Sequence, residues 1–138
     1  MRNPKLKAAQ HCAEDVARKV GRFLKRRLSS QKRINQQTAH DIKLELDEQS
    51  QRMIERGLLK VYPQIAILGE EGIVGDPLSE WRWVVDPIDG TVNFSRGLPH
   101  ACIAIALQRR NEESSGHWSD YQTMIGVVYD PFLDEMWT

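Results

Sequence analysis

The stretch Trp83-Val84-Val85-Asp86-Pro87-Ile88-Asp89-Gly90-Thr91-Val92-Asn93-Phe94 constrains this chain more than any other. Trp83 to Val85 is a short apolar run of the kind that forms a buried strand. It ends in two carboxylates three residues apart, with Pro87 between them and Gly90 directly after. Proline fixes its own φ, and glycine permits a backbone conformation that a side chain would oppose. The pattern predicts a tight turn in which Asp86 and Asp89 point toward one place. Two hard anionic oxygens at a strand end suit Mg²⁺, which takes carboxylates and keeps water or phosphate oxygens as its other ligands. Asp-Pro and Asp-Gly are also ordinary turn dipeptides, so these residues alone leave a turn without a ligand as an alternative.

Upstream, Ile65-Ala66-Ile67-Leu68-Gly69-Glu70-Glu71-Gly72 is a second apolar run ending in glycine and paired acids. Two acid-bearing strand ends could form both walls of a metal site; a solvated acidic loop is the competing reading. Taken together, Gly69-Glu70-Glu71 and Asp86-Pro-Ile-Asp-Gly-Thr-Val-Asn-Phe94 resemble the inositol monophosphatase family of Mg²⁺-dependent, lithium-sensitive phosphatases. The longer motif carries the specificity, and the acidic pair gains meaning in its company.

The 138 residues suffice for one domain, and 41% hydrophobic with 28% charged residues is a globular composition. The net charge is zero but unevenly spread: residues 1–33 hold 11 Lys and Arg against 2 acids, and the remainder holds 8 against 17. Residues 5–28 are predicted as a helix, with Ala9, Ala13, Val16, Val20, Phe23, Leu24 and Leu28 on one face and the basic residues on the other. A solvated face is the default reading of those cations. A targeting segment is opposed by Glu14-Asp15, and no aromatic interleaving or nucleic-acid motif accompanies the charge. Cys12 and Cys102 lack CxxC spacing and no secretory signal precedes them, which predicts reduced thiols and a cytoplasmic location. The longest apolar run, Ala101 to Leu107, is too short to cross a bilayer.

Ile42, Leu44 and Leu46 alternate with polar residues, which predicts a half-buried strand over residues 40–46 after a polar turn at 29–37. From Asp47 the pattern turns helical, with Met53, Ile54, Leu58 and Val61 inward and Pro63 as the stop. Asp47 then stands at the N-cap. The resemblance implies a second role for it, pairing with Thr91 to orient the attacking water. This chain has Leu44-Glu45-Leu46-Asp47 where the family carries Thr-x-x-Asp, and Gln36, Gln37 and His40 where a lysine is usual. His40 itself reads as a surface histidine.

Ala101–Leu107, Thr123–Tyr129 and a start at Glu135 are predicted as strands, with 108–122 as a polar loop holding His117 and Trp118. Strands without intervening helices predict an antiparallel meander. The predicted class is α+β: two helices on a mainly antiparallel sheet. The resemblance covers about the N-terminal half of the family, and implies the first part of a layered αβαβα sandwich. The expectation for 1–138 is therefore a metal-binding portion of a truncated domain. The family's Trp-Asp motif, with a further metal ligand and substrate contacts, has no counterpart in it.

The resemblance implies a division of roles. Glu70, Asp86 and the Ile88 carbonyl would hold the metal that carries the nucleophilic water. Asp86 would bridge to a second ion shared with Asp89, and Glu70 would help hold a third. Glu71 would support these ligands without binding metal. Asp89, Gly90 and Thr91 would meet the substrate, Gly90 and Thr91 through backbone N–H groups. The implied reaction is hydrolysis of a small phosphate monoester of the inositol monophosphate type. Fructose bisphosphate, 3′-phosphoadenosine 5′-phosphate and histidinol phosphate are alternative substrates. The competing class is a catalytically incompetent fragment or a binding or dimerisation module. The expected partners are a small phosphorylated substrate and, by resemblance, a second copy in a homodimer, with neither nucleic acid nor membrane.

Overall fold

A computed structural model of the chain describes residues 3–30, 36–70, 72–111 and 120–138. Two long helices open it, α1 (Leu6–Ser30) and α2 (Gln36–Val61). On α1, Ala9, Ala13, Val16, Ala17, Val20 and Leu24 recur at three- and four-residue steps and are all buried. That stripe faces the sheet and α2, as predicted for residues 5–28. Gly57 of α2 lets the helices approach closely, since a β-carbon there would lie 2.6 Å from a Val16 methyl.

The predicted strand over 40–46 is corrected: these residues belong to α2. Leu46 heads a row with Ser50, Ile54 and Leu58, four residues apart and each at most 1% exposed. It thus belongs to the helical pattern as well as the alternating one, and continuing the helix satisfies one more backbone bond per residue. Glu45–Gln49 and Gln51–Glu55 side-chain bonds, both 2.9 Å, and the Glu48–Arg52 pair reinforce it at i,i+4. Asp47 accordingly lies well inside α2, which excludes the N-cap reading. The predicted turn at 29–37 is corrected where it is described, since Ser29 and Ser30 close α1 and Gln36 opens α2. The side chains of Ile42, Leu44 and His40 lie outside the described residues. Val61 ends the helix ahead of Pro63, as expected, but its side chain is exposed rather than inward.

Six strands follow: β1 (Ala66–Gly69), β2 (Gly72–Val74), β3 (Trp81–Asp89), β4 (Cys102–Arg110), β5 (Tyr121–Asp130) and β6 (Glu135–Trp137). A five-residue helix, α3 (Thr91–Ser95), separates β3 from β4. The sheet order is β2-β1-β3-β4-β5-β6, with only β1 and β3 parallel. The molecule is thus α+β, three helices on a mostly antiparallel sheet, and β4 to β6 form the predicted meander.

One sheet face meets the helices. Trp83, Val85, Ile103, Ile105, Leu107 and Val127 point into it and are at most 4% exposed. The predicted loop at 108–122 is shorter at both ends. Polar cross-strand partners carry the ladder beyond the apolar run: Gln108 bonds Arg82 (2.9 Å) and Thr123 (3.1 Å), and Arg109 pairs with Glu80 (3.0 Å). His117 and Trp118 lie outside the described residues. Among the described residues, no helix is long and apolar enough to cross a membrane.

Candidate metal and phosphate site

Sheet register assembles the candidate site. In the parallel pair, Leu68 lies opposite Val84, so continuing both chains by two residues brings Glu70 beside Asp86. Gly69, the last residue of β1, is backed by Gln51: a β-carbon there would fall 2.1 Å from the Gln51 Nε2. The absence of that carbon lets α2 press against the strand end that carries Glu70.

The tight turn predicted at Asp86–Gly90 is a different device. Backbone pairing continues through Pro87 to Asp89, and the register with β4 shifts between Asp86 and Asp89. Pro87 has no N–H to give the ladder, and it sits in that irregularity, where none is required. The break keeps both carboxylates at the same strand end, Asp86 half-buried and Asp89 exposed. Asp86 Oδ1 accepts the Ile88 N–H at 3.2 Å, and the Thr91 hydroxyl donates to the Ile88 carbonyl at 3.0 Å. Gly90 then turns the chain into α3 with φ 94°, ψ 30°. A β-carbon at Gly90 would also lie 2.6 Å from the His100 carbonyl oxygen, so glycine is required twice over.

Electrostatics mark the same group. Burial, then the charges of Asp89 and Glu70, push the Asp86 carboxyl above the usual carboxylate range, against the opposing pull of the Ile88 N–H. Cys102, paired with Asp89 across the sheet, places Sγ 3.8 Å from Asp89 Oδ2. Burial and the Asp89 carboxylate drive its thiol to about 11, so it is a protonated neighbour rather than a nucleophile. Both cysteines are free thiols, as expected. The sequence carried no signal for Cys102, because its position depends on the β3–β4 register.

The structure therefore brings Glu70, Asp86 and Asp89 into one electrostatic neighbourhood, with Ile88, Gly90 and Thr91 shaping the backbone between them. Glu71 lies outside the described residues. Asp47 is half-buried on α2, which packs against α3. The single Thr91 hydroxyl proton is directed to Ile88, so a bond to Asp47 requires that contact to open. Among the described residues, no three His, Cys, Asp or Glu side chains close around one point as a ready-made ion cage. The donor set nevertheless fits Mg²⁺: it is all oxygen, and its mutual repulsion is what a divalent ion relieves.

The profile of the inositol monophosphatase family matches residues 5–138. The chain belongs to that family. It is 33% identical over 135 residues to the Nus factor SuhB of Xylella fastidiosa, a match covering 96% of this chain and 45% of that protein. It is 37% identical over 123 residues to the fructose-1,6-bisphosphatase/inositol-1-monophosphatase of Thermotoga maritima, covering 87% of this chain and 43% of the relative. Among solved structures, the inositol monophosphatase of Anabaena superposes with a TM-score of 0.74 at 26% identity, over 96% of this chain and 44% of that one. The fold is thus the N-terminal part of the family's fold. The chain spans less than half the length of the curated relatives it matches.

Proposed function

We propose that these residues form the metal-binding portion of a Mg²⁺-dependent phosphatase acting on a small phosphate monoester, most simply inositol monophosphate. The observation that carries this reading is the Glu70–Asp86–Asp89 grouping at the paired ends of β1 and β3, in a chain whose residues 5–138 match the family. A phosphate monoester dianion repels a nucleophile, so its hydrolysis needs positive charge on the phosphoryl oxygens. Mg²⁺ held by Glu70, Asp86, Asp89 and the Ile88 carbonyl would supply that charge and favour ionisation of water at neutral pH.

The chain's own residues supply the rest. The Ile88 N–H orients one oxygen of Asp86, leaving the other for a cation. The Thr91 hydroxyl fixes the Ile88 carbonyl, whose second lone pair remains available. Gly90 and Thr91 offer backbone N–H groups to the phosphate, and Asp47 with Thr91 orients water. Glu71 supports the ligands.

The test is phosphate release from inositol monophosphate with and without Mg²⁺. In the complete protein, Asp86→Asn and Glu70→Gln should each abolish Mg²⁺-dependent turnover, and Glu71→Gln should reduce it less. Turnover that survives Asp86→Asn would refute the metal assignment. A second reading, a non-catalytic binding or dimerisation module, is favoured by the Nus factor name of relatives such as the Xylella fastidiosa protein. Absence of turnover with only weak Mg²⁺ binding would support it.

A further inference from the structure

Helix α1 and the turn between β5 and β6 border an open cleft of about 400 Å³, separate from the carboxylate site and lined by Arg18, Arg22, Lys25, Tyr129, Pro131 and Asp134. We infer that this cleft is a binding site for a small, multiply charged phosphate anion.

Three observations converge on that chemistry. First, the three cations fall at i, i+4 and i+7 on α1, which places them along one side of the helix and over the same cleft. The single carboxylate on its lining, Asp134, is already engaged: Oδ1 accepts the Tyr129 hydroxyl at 2.7 Å and lies 3.9 Å from Arg18. Arg22 and Lys25 have no carboxylate within ion-pair distance among the described residues, so the cleft keeps a net positive charge.

Second, the floor is built rather than incidental. Gly21 has the Tyr129 ring 2.5 Å and Pro131 2.8 Å from where a β-carbon would stand. Its absence lets the ring and the proline seal the base of the cleft against the helix backbone. Asp134 reaches its position through a left-handed backbone, φ 56°, and the Arg18 guanidinium lies 5.5 Å from the centre of the Tyr129 ring. Arg18 is thereby held from two sides.

Third, size and shape select the ligand. A cleft of this volume suits a small molecule. Tyr129 is 5% exposed and offers no face on which a nucleic-acid base could stack. Guanidinium groups bind phosphate through paired N–H donors, and a lysine adds a mobile point charge.

The test is calorimetric titration of the chain with pyrophosphate in the presence of EDTA, which removes any metal-dependent binding at the carboxylates. The expected result is one site per chain, weakened by monovalent salt, with affinity reduced roughly tenfold or more in Arg22→Gln/Lys25→Gln. Lys7→Gln/Arg26→Gln removes the same charge from α1 outside the cleft and should leave binding intact, as should Asp86→Asn. Circular dichroism of each variant establishes folding. No pyrophosphate binding by the wild-type chain, or equal weakening in the two double variants, would overturn the inference. So would loss of binding in Asp86→Asn, which would place the anion at the other site.

Discussion

The two faces of the sheet are built from different side chains. Toward the helices stand Trp81, Trp83, Val85, Ile103, Ile105 and Leu107, large or branched and nearly without solvent contact. On the opposite face β3, β4 and β5 carry Val84, Ala104, Ala106, Gly126 and Val128, none larger than valine and all half-buried or exposed. The helix-side face supplies the cohesion of the fold. The other holds Asp86 at its end, where burial is deep enough to make the carboxyl sensitive to its neighbours and shallow enough to leave a cation access. Stability and candidate chemistry thus occupy opposite faces of one strand, separated by the two-residue period of β-structure.

The largest test of that contrast is a pair of adjacent truncations. Trp83→Ala removes a fully buried ring that contacts Tyr62 at 6.0 Å between centroids, and should cost about 3–5 kcal/mol in urea unfolding. Val84→Ala, one residue on, should cost about 1 kcal/mol or less. Similar losses for the two would dissolve the distinction between the faces.

Glycines sharpen the contrast at intermediate scale. Gly21→Ala drives a methyl into the Tyr129 ring and should destabilise by about 1–3 kcal/mol. Gly126 has nothing within 4 Å of its absent β-carbon, so Gly126→Ala should change the unfolding free energy by about 0.5 kcal/mol or less.

The smallest expected effect is a pH dependence on the helix side. Burial, then the bond to Asp134, raises the Tyr129 phenol above its ordinary value. The fold favours the neutral form, so the stability it contributes is present below pH about 10 and lost as pH rises through the raised folded value. The advantage of wild type over Tyr129→Phe should therefore shrink between pH 8 and pH 11 in urea titrations. A constant difference would show that the phenol ionises alike in folded and unfolded chains.

What was legible in the sequence follows the range of the interactions. The helix of residues 5–28 and the strands at 83–85 and 101–107 declare themselves through local periodicity and unbroken apolar runs. Asp86-Pro-Ile-Asp-Gly is also local, and its family association needed no structure. Residues 40–46 misled because Leu46 satisfies two periodicities, and the packing of its row into the core decides between them. The bulge at Pro87 and the neighbours Cys102 and Gln51 depend on strand register and helix docking, which single residues do not encode. So does the cleft on α1, whose cations read as a solvated face until the β5–β6 turn is set against them.

The measurement that tests the central claim most directly is calorimetric titration of the chain with Mg²⁺ alongside Asp86→Asn and Glu70→Gln. Grouping of Glu70, Asp86 and Asp89 as a cation site predicts saturable binding by the wild type, weakened roughly tenfold or more by either substitution. Binding equal in all three chains, or none in the wild type, would contradict it.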